Sequence, residues 1–168
     1  MLNYLGKSQY TADPLFDGML DDFRIYNYVL APTEVSVLAG TSLTAAQWRQ
    51  AYFGTSADTG DAADTADPDG DRVVNKLERA FGGEPTLYEP DLQPTVEVAA
   101  SNLHIHYRKS KALTDTTIAI EEADAPSANW SLAVGSTQVL SDHGSYEVVR
   151  FSHAIDTNAP LFLRVAVE

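Results

Sequence analysis

Beyond residue 93 the chain alternates between apolar and polar positions with a period of two, the pattern of half-buried strands. Strands are predicted over Thr95–Ala99, Leu103–Arg108, Thr116–Glu122, Trp130–Ala133, Thr137–Leu140, Tyr146–Ser152 and Leu161–Val167. Turn residues separate them at Ser101-Asn102, Ala125-Pro126, Asp142-His143-Gly144 and Asn158 to Pro160. Leu161, Leu163, Val165 and Val167 share one face of the last strand and are expected to point inward. Short strands at regular spacing predict a small antiparallel β-sandwich over residues 93–168.

Residues 41–88 carry helical signals instead. Thr44 and Gln47 form a capping box, with Leu43 and Trp48 at the positions of a hydrophobic staple. This helix runs to about Phe53 and stops at Gly54. A second helix is expected over Asn75–Phe81, ended by Gly82-Gly83. Its Val74, Leu77 and Phe81 share a face that can pack on Trp48 and Tyr52. Such a unit is too small to be held together by its own core. Residues 1–40 read as strand, strand, short helix. The first strand is Tyr4–Lys7. The second is Met19–Tyr26, with Met19, Asp21, Phe23 and Ile25 on one face. Pro32 opens the helix, Glu34 sits near its positive end, and Gly40 closes it. The predicted class is therefore mainly β.

Composition changes this picture only modestly. The 168 residues allow one domain or two small ones. No apolar run approaches the roughly 18 residues of a membrane helix. A net charge of −13 argues against nucleic acid, because phosphate contacts need Lys and Arg. The absence of Cys removes disulfides, thiol catalysis and thiolate metal sites.

Candidate chemistry is concentrated in one stretch, DPDGDRVVNKLE, from Asp67 to Glu78. Its oxygen donors fall at the spacing of a calcium loop: Asp67, Asp69 and Asp71, then the Val73 backbone carbonyl, Asn75, and finally Glu78. Calcium is a hard cation that takes roughly six to eight oxygens, and the last Glu can bind through both of its own. Ca2+ is the expected cofactor. Arg72 departs from the pattern, because it stands where such loops have Gly to allow a positive φ. A non-Gly residue there costs roughly 1–2 kcal/mol and places a cation near the ion. Affinity is accordingly expected at the weak extracellular end, on the order of 10⁻⁴–10⁻³ M. Asp58, Asp61 and Asp64 precede the loop at a three-residue spacing that matches no loop pattern and read as an acidic linker, with Asp64 the best candidate for an additional ligand.

Three resemblances add to this reading. YLGKSQY followed by FDGMLDDFRIYNYVLAPTEV resembles the C-terminal end of a laminin G-like (concanavalin A-like) jelly roll. Ala31 replaces the Ser that caps the helix in that family. WRQAYFG followed by DPDGDRVVNKLERAFGGEP is similar to an EF-hand/dockerin-type module near the C-terminus of secreted proteins from planctomycete- and verrucomicrobium-like bacteria. The trailing β-domain, ending in FLRVAVE, resembles the domain that follows there. The resemblances imply a jelly-roll remnant (1–40), a helix–calcium loop–helix spacer (41–88) and a C-terminal β-sandwich (93–168). They imply a C-terminal piece of a longer secreted or surface-exposed protein. Its role would be non-catalytic, with the parent jelly roll binding a polysaccharide or a cell-surface partner. Two rivals are appended modules of a polysaccharide-degrading enzyme and a dockerin-like docking module, although dockerins use two tandem loops.

Other constellations carry less. His104 and His106 share a strand face opposite Leu103, Ile105 and Tyr107, and two ligands do not make a metal site. His143 and His153 pair with no nucleophile in the sequence. Asp21 and Asp22 are adjacent, so on a strand they point to opposite faces and do not form the paired carboxylates of a glycosidase. Trp130 and Tyr146 are candidates for stacking on a sugar, with Trp130 the better candidate for the core.

Overall fold

A computed structural model describes residues 10, 12–13, 17–19, 23–156 and 161–168. The strand expected at Tyr4–Lys7, the Asp21-Asp22 pair and the turn at Asn158 to Pro160 lie outside these residues. The protein is mainly β. Two antiparallel sheets are built from β1 (Thr95–Ala99), β2 (Asn102–Ser110), β3 (Ile118–Ala123), β4 (Ser131–Leu132), β5 (Ser136–Asp142), β6 (Tyr146–Ala154) and β7 (Phe162–Val167). One sheet has the order β1-β2-β6-β5 and the other β4-β3-β7. Every predicted strand of the sandwich is present, β1 with the predicted bounds and the others with shifted ends. The first turn is Ala100-Ser101 rather than Ser101-Asn102, because Asn102 pairs with Ala99.

The alternation seen in the sequence decides which side chains meet between the sheets. Ile105 and Tyr107 from β2, Val149 and Phe151 from β6, and Ile120 from β3 form one buried cluster. Leu163, Val165 and Val167 of β7 pack against it, as their shared face predicts. His104 and His106 fall on the opposite face. The narrower sheet does not cover the edge strand β1, whose Val96 and Val98 remain 64% and 65% exposed.

Three helices precede the sheets: α1 (Pro32–Leu38), α2 (Ala45–Phe53) and α3 (Asn75–Phe81). α1 starts at Pro32, and Glu34 reaches back to accept the Ala31 amide at 2.9 Å, the half of a capping box that an alanine cap permits. α2 has the full box. Thr44 Oγ1 accepts from the Gln47 amide, Gln47 Oε1 accepts from the Thr44 amide, and Gly54 ends the helix in the left-handed region at φ 71°. α3 ends the same way at Gly82.

Two expectations change. Met19 and Phe23–Tyr26 form no strand, and Phe23 and Ile25 are exposed. An alternating segment becomes a strand only when a neighbouring strand takes its backbone hydrogen bonds, and no such neighbour lies beside it among the described residues. The second change concerns α3. The shared face suggested packing against Trp48 and Tyr52. Instead Ala80 and Phe81, with Val73 from the loop, enter the buried cluster of the sandwich, and Leu77 packs on it. Trp48 is buried against Tyr52 and Phe53 of its own helix. The end of a two-sheet core offers more apolar area to a short helix than another short helix does.

Candidate metal centre

The loop is preformed by its own carboxylates. Asp67 Oδ1 accepts the Gly70 amide at 2.9 Å and Oδ2 the Arg72 amide at 3.0 Å. Asp69 Oδ1 accepts the Asp71 amide, and Asp71 Oδ1 accepts the Val73 amide at 2.7 Å. The bonds of Asp69 and Asp71 are successive Asx turns, and those of Asp67 span three and five residues; all are the local bonding that short acidic side chains favour over regular structure. They bend the chain so that one carboxylate oxygen each from Asp67, Asp69 and Asp71 lies within 4.8 Å of the others. Among the described residues this is the one such cluster of three or more acidic or histidine side chains.

Arg72 adopts φ 76°, in the left-handed region that Gly would occupy without strain. The sequence pattern anticipated this conformation. Arg72→Gly is expected to stabilise the protein by about 1 kcal/mol, the relief of strain less the added freedom of the unfolded chain. A urea melt in chelator checks it, and an unchanged midpoint would mean that the turn is unstrained.

Glu78 lies outside the group of three whose oxygens meet within 4.8 Å, but the charges of Asp71 and Asp69 reach it. The first turn of α3 carries it inward, where it is 0% exposed. Neither Oε1 nor Oε2 has a hydrogen-bond partner. Burial, then the charges of Asp71, Glu89 and Asp69, push its pKa up to about 8, with Arg108 opposing. Asp69 is also raised, first by burial, with the Asp71 amide opposing and the Asp71 and Asp67 carboxylates adding to the rise. Asp69 Oδ2 is likewise buried without a partner. A set of carboxylates that converge, lose water and repel one another is costly without a cation among them.

Asn75 is fully buried, and its Nδ2 donates to the carbonyls of Asp61 and Ala63, both at 2.7 Å. Those bonds tie the 3-10 turn Gly60–Ala62 to α3. The remaining amide oxygen of Asn75 is buried and unpartnered. Asp64 does not join the ligands. Its Oδ1 accepts from Arg49 at 2.9 Å, its Oδ2 lies 3.4 Å from Arg79, and its backbone carbonyl accepts the Lys76 amide. Asp58 in turn accepts the Asp64 amide at 2.7 Å. Opposite charges satisfy Asp64 more fully than an ion shared with three other carboxylates would.

Three neighbours of the site were not evident in the sequence. Gly83 reads only as a helix stop, yet a Cβ there would overlap Glu78 Oε2 and Leu92 Cδ2. Glu89 donates its backbone amide to Asp71 Oδ2 at 2.9 Å. Arg108, on β2, meets Glu89 Oε1 at 3.4 Å and donates to the Gly82 carbonyl at 2.6 Å. The spacing from Glu78 to Glu89 and Arg108 belongs to no loop pattern, so only folding reveals the link.

The remaining candidates find protein partners. His104 and His106 stack at 6.4 Å; His104 Nδ1 bonds Ser152 Oγ and His106 lies 3.9 Å from Glu97. His153 Nδ1 lies 3.4 Å from Glu122 Oε2, beside a cavity of about 450 Å³. The guanidinium of Arg164 lies over Trp130 and that of Arg108 over Tyr146, at 4.3 and 3.8 Å. No helix among the described residues is long and apolar enough to cross a membrane. Comparison with protein-family models, curated proteins and solved structures found no match.

Proposed function

We propose that residues 67–78 bind one calcium ion and that the chain is a calcium-stabilised, non-catalytic accessory module. The observation that carries this is Glu78: a fully buried carboxylate with both oxygens unpartnered, beside an acidic loop already folded around its Asx turns. The ligands are Asp67, Asp69, Asp71, the Val73 carbonyl and both oxygens of Glu78, with Asn75 acting through its free amide oxygen or a bridging water. An all-oxygen set with a bidentate carboxylate favours calcium over the smaller, strictly octahedral magnesium. The ion would neutralise the cluster, keep Glu78 ionised and hold the loop against α3.

Calorimetric titration of the full chain tests the reading. Saturable binding near one calcium per chain is expected, and Asp69→Ala or Glu78→Ala should abolish it. Calcium at about 100 times its Kd should stabilise the fold by roughly 2.7 kcal/mol. No heat and no thermal shift at several millimolar calcium would sink the proposal.

A further inference from the structure

We propose that Glu89 and Arg108 are positioning residues that join the metal loop and the β-sandwich into one calcium-dependent folding unit. The inference rests on the calcium reading and adds to it how far the ion's effect reaches. The link runs through bonds already described. Asp71 offers one oxygen to the Val73 amide and the other to the Glu89 amide. The Glu89 carboxylate accepts the Glu84 amide at 2.9 Å and meets Arg108 at 3.4 Å. Arg108 holds the carbonyl of Gly82 at the end of α3, and its guanidinium lies over Tyr146 of β6. One ligand of the ion is thus tied to the turn after α3 and to the two central strands of the larger sheet.

Packing runs parallel to these bonds. Val73, the proposed backbone ligand, is 1% exposed and shares a cluster with Phe81 of α3 and with Ile105, Tyr107, Val149, Phe151 and Ile120 of the two sheets. Opening the loop would pull a core residue out of the sandwich. Opening the sandwich would remove the support of Asp71 and Glu78. Two parts coupled this closely unfold together, and an ion that binds only the folded state then stabilises both. Partners behind the ligands of a metal site typically change its affinity by about 10–100-fold.

Hydrogen exchange of the full chain, with calcium chloride or with chelator, tests the reach. At calcium about 100 times its Kd, the slowest amides of β3 and β7 should exchange about 100-fold more slowly, as those of α3 do. Slowing confined to the loop and α3 would overturn the inference and leave the calcium reading intact. Absence of calorimetric binding would overturn both. Two variants address the residues themselves. Arg108→Met and Glu89→Gln should each raise the Kd for calcium by about tenfold, and Arg108→Lys should not restore it, because an ammonium cannot hold a carbonyl and a carboxylate in one planar fork. A merely structural Arg108 would lower the melting temperature equally with and without calcium and leave the Kd unchanged. An Arg108 acting only as a repelling cation would give tighter binding in Arg108→Met. Either result would overturn the assignment.

Discussion

Glu78→Gln is expected to stabilise the ion-free protein while abolishing calcium binding. The two effects have one cause. In the folded, ion-free chain, burial and the neighbouring carboxylates hold the Glu78 pKa at about 8, against an ordinary value of 4.5. A raised carboxyl pKa means that the folded state binds the proton more tightly than the unfolded one. Its contribution to stability is therefore fully present below pH 4.5 and is lost as the pH rises through about 8. Near pH 7 the unfavourable linkage amounts to roughly 3 kcal/mol. Glutamine has nearly the same shape and no proton to lose. Its amide is also left without partners, which cancels part of the gain, so a net stabilisation of about 2 kcal/mol is expected.

Urea unfolding in chelator between pH 5 and 8 checks this prediction. The unsubstituted protein should weaken across that window and Glu78→Gln should not. In calcium the order reverses, because the ion holds the carboxylate ionised and the amide cannot replace a bidentate anion. Calcium affinity of the unsubstituted protein should rise with pH over the same range, with proton release on binding. Equal stability of the two proteins at every pH would remove the physical argument for an ion at Glu78.

Gly83→Ala is expected to destabilise the protein by about 3 kcal/mol and to weaken calcium binding. The added methyl has no free volume to enter. It would overlap the Glu78 carboxylate on one side and the buried Leu92 on the other. Leu92 belongs to the core cluster and cannot retreat without opening it. Glu78 would have to turn away from the loop, which removes the proposed bidentate ligand. Gly82→Ala is the informative comparison. Gly82 adopts φ 71°, and a Cβ there meets its nearest neighbour at 3.4 Å, an ordinary contact. That substitution should cost only the backbone strain, about 1–2 kcal/mol, and leave the Kd for calcium within a factor of two or so. Paired thermal melts and titrations separate the cases. Similar calcium affinities for the two variants would mean that Gly83 serves the helix end rather than Glu78.

Much of the architecture was legible in local sequence because the relevant energies are local. The capping box of Thr44 and Gln47, the left-handed stops at Gly54 and Gly82 and the bounds of α3 depend on residues within a few positions of one another. The strands were legible because a buried face imposes a period of two, as Ile105 and Tyr107 or Leu163, Val165 and Val167 illustrate. The bonds from the Asp67, Asp69 and Asp71 carboxylates to nearby amides are local in the same way, and so is the positive φ of Arg72.

Tertiary structure decided what those local units touch. Whether Met19–Tyr26 pairs as a strand depends on a neighbour, which its own alternation cannot supply. Asp64 read as part of an acidic linker and as the best candidate there for an extra ligand, but Arg49 and Arg79 reach it across the fold and claim both oxygens. Phe81 shares a helical face with Val74 and Leu77, yet the larger apolar end of the sandwich captures it. The depth of Glu78, the need for a bare Gly83 and the chain from Asp71 through Glu89 to Arg108 arise from packing and charge between distant segments. By itself the sequence determined the loop, its donors and the strand and helix pattern, because these follow from short-range geometry. The folded protein decided which donors remain free for an ion and what the loop is fastened to, because burial and long-range pairing exist only once the chain is compact.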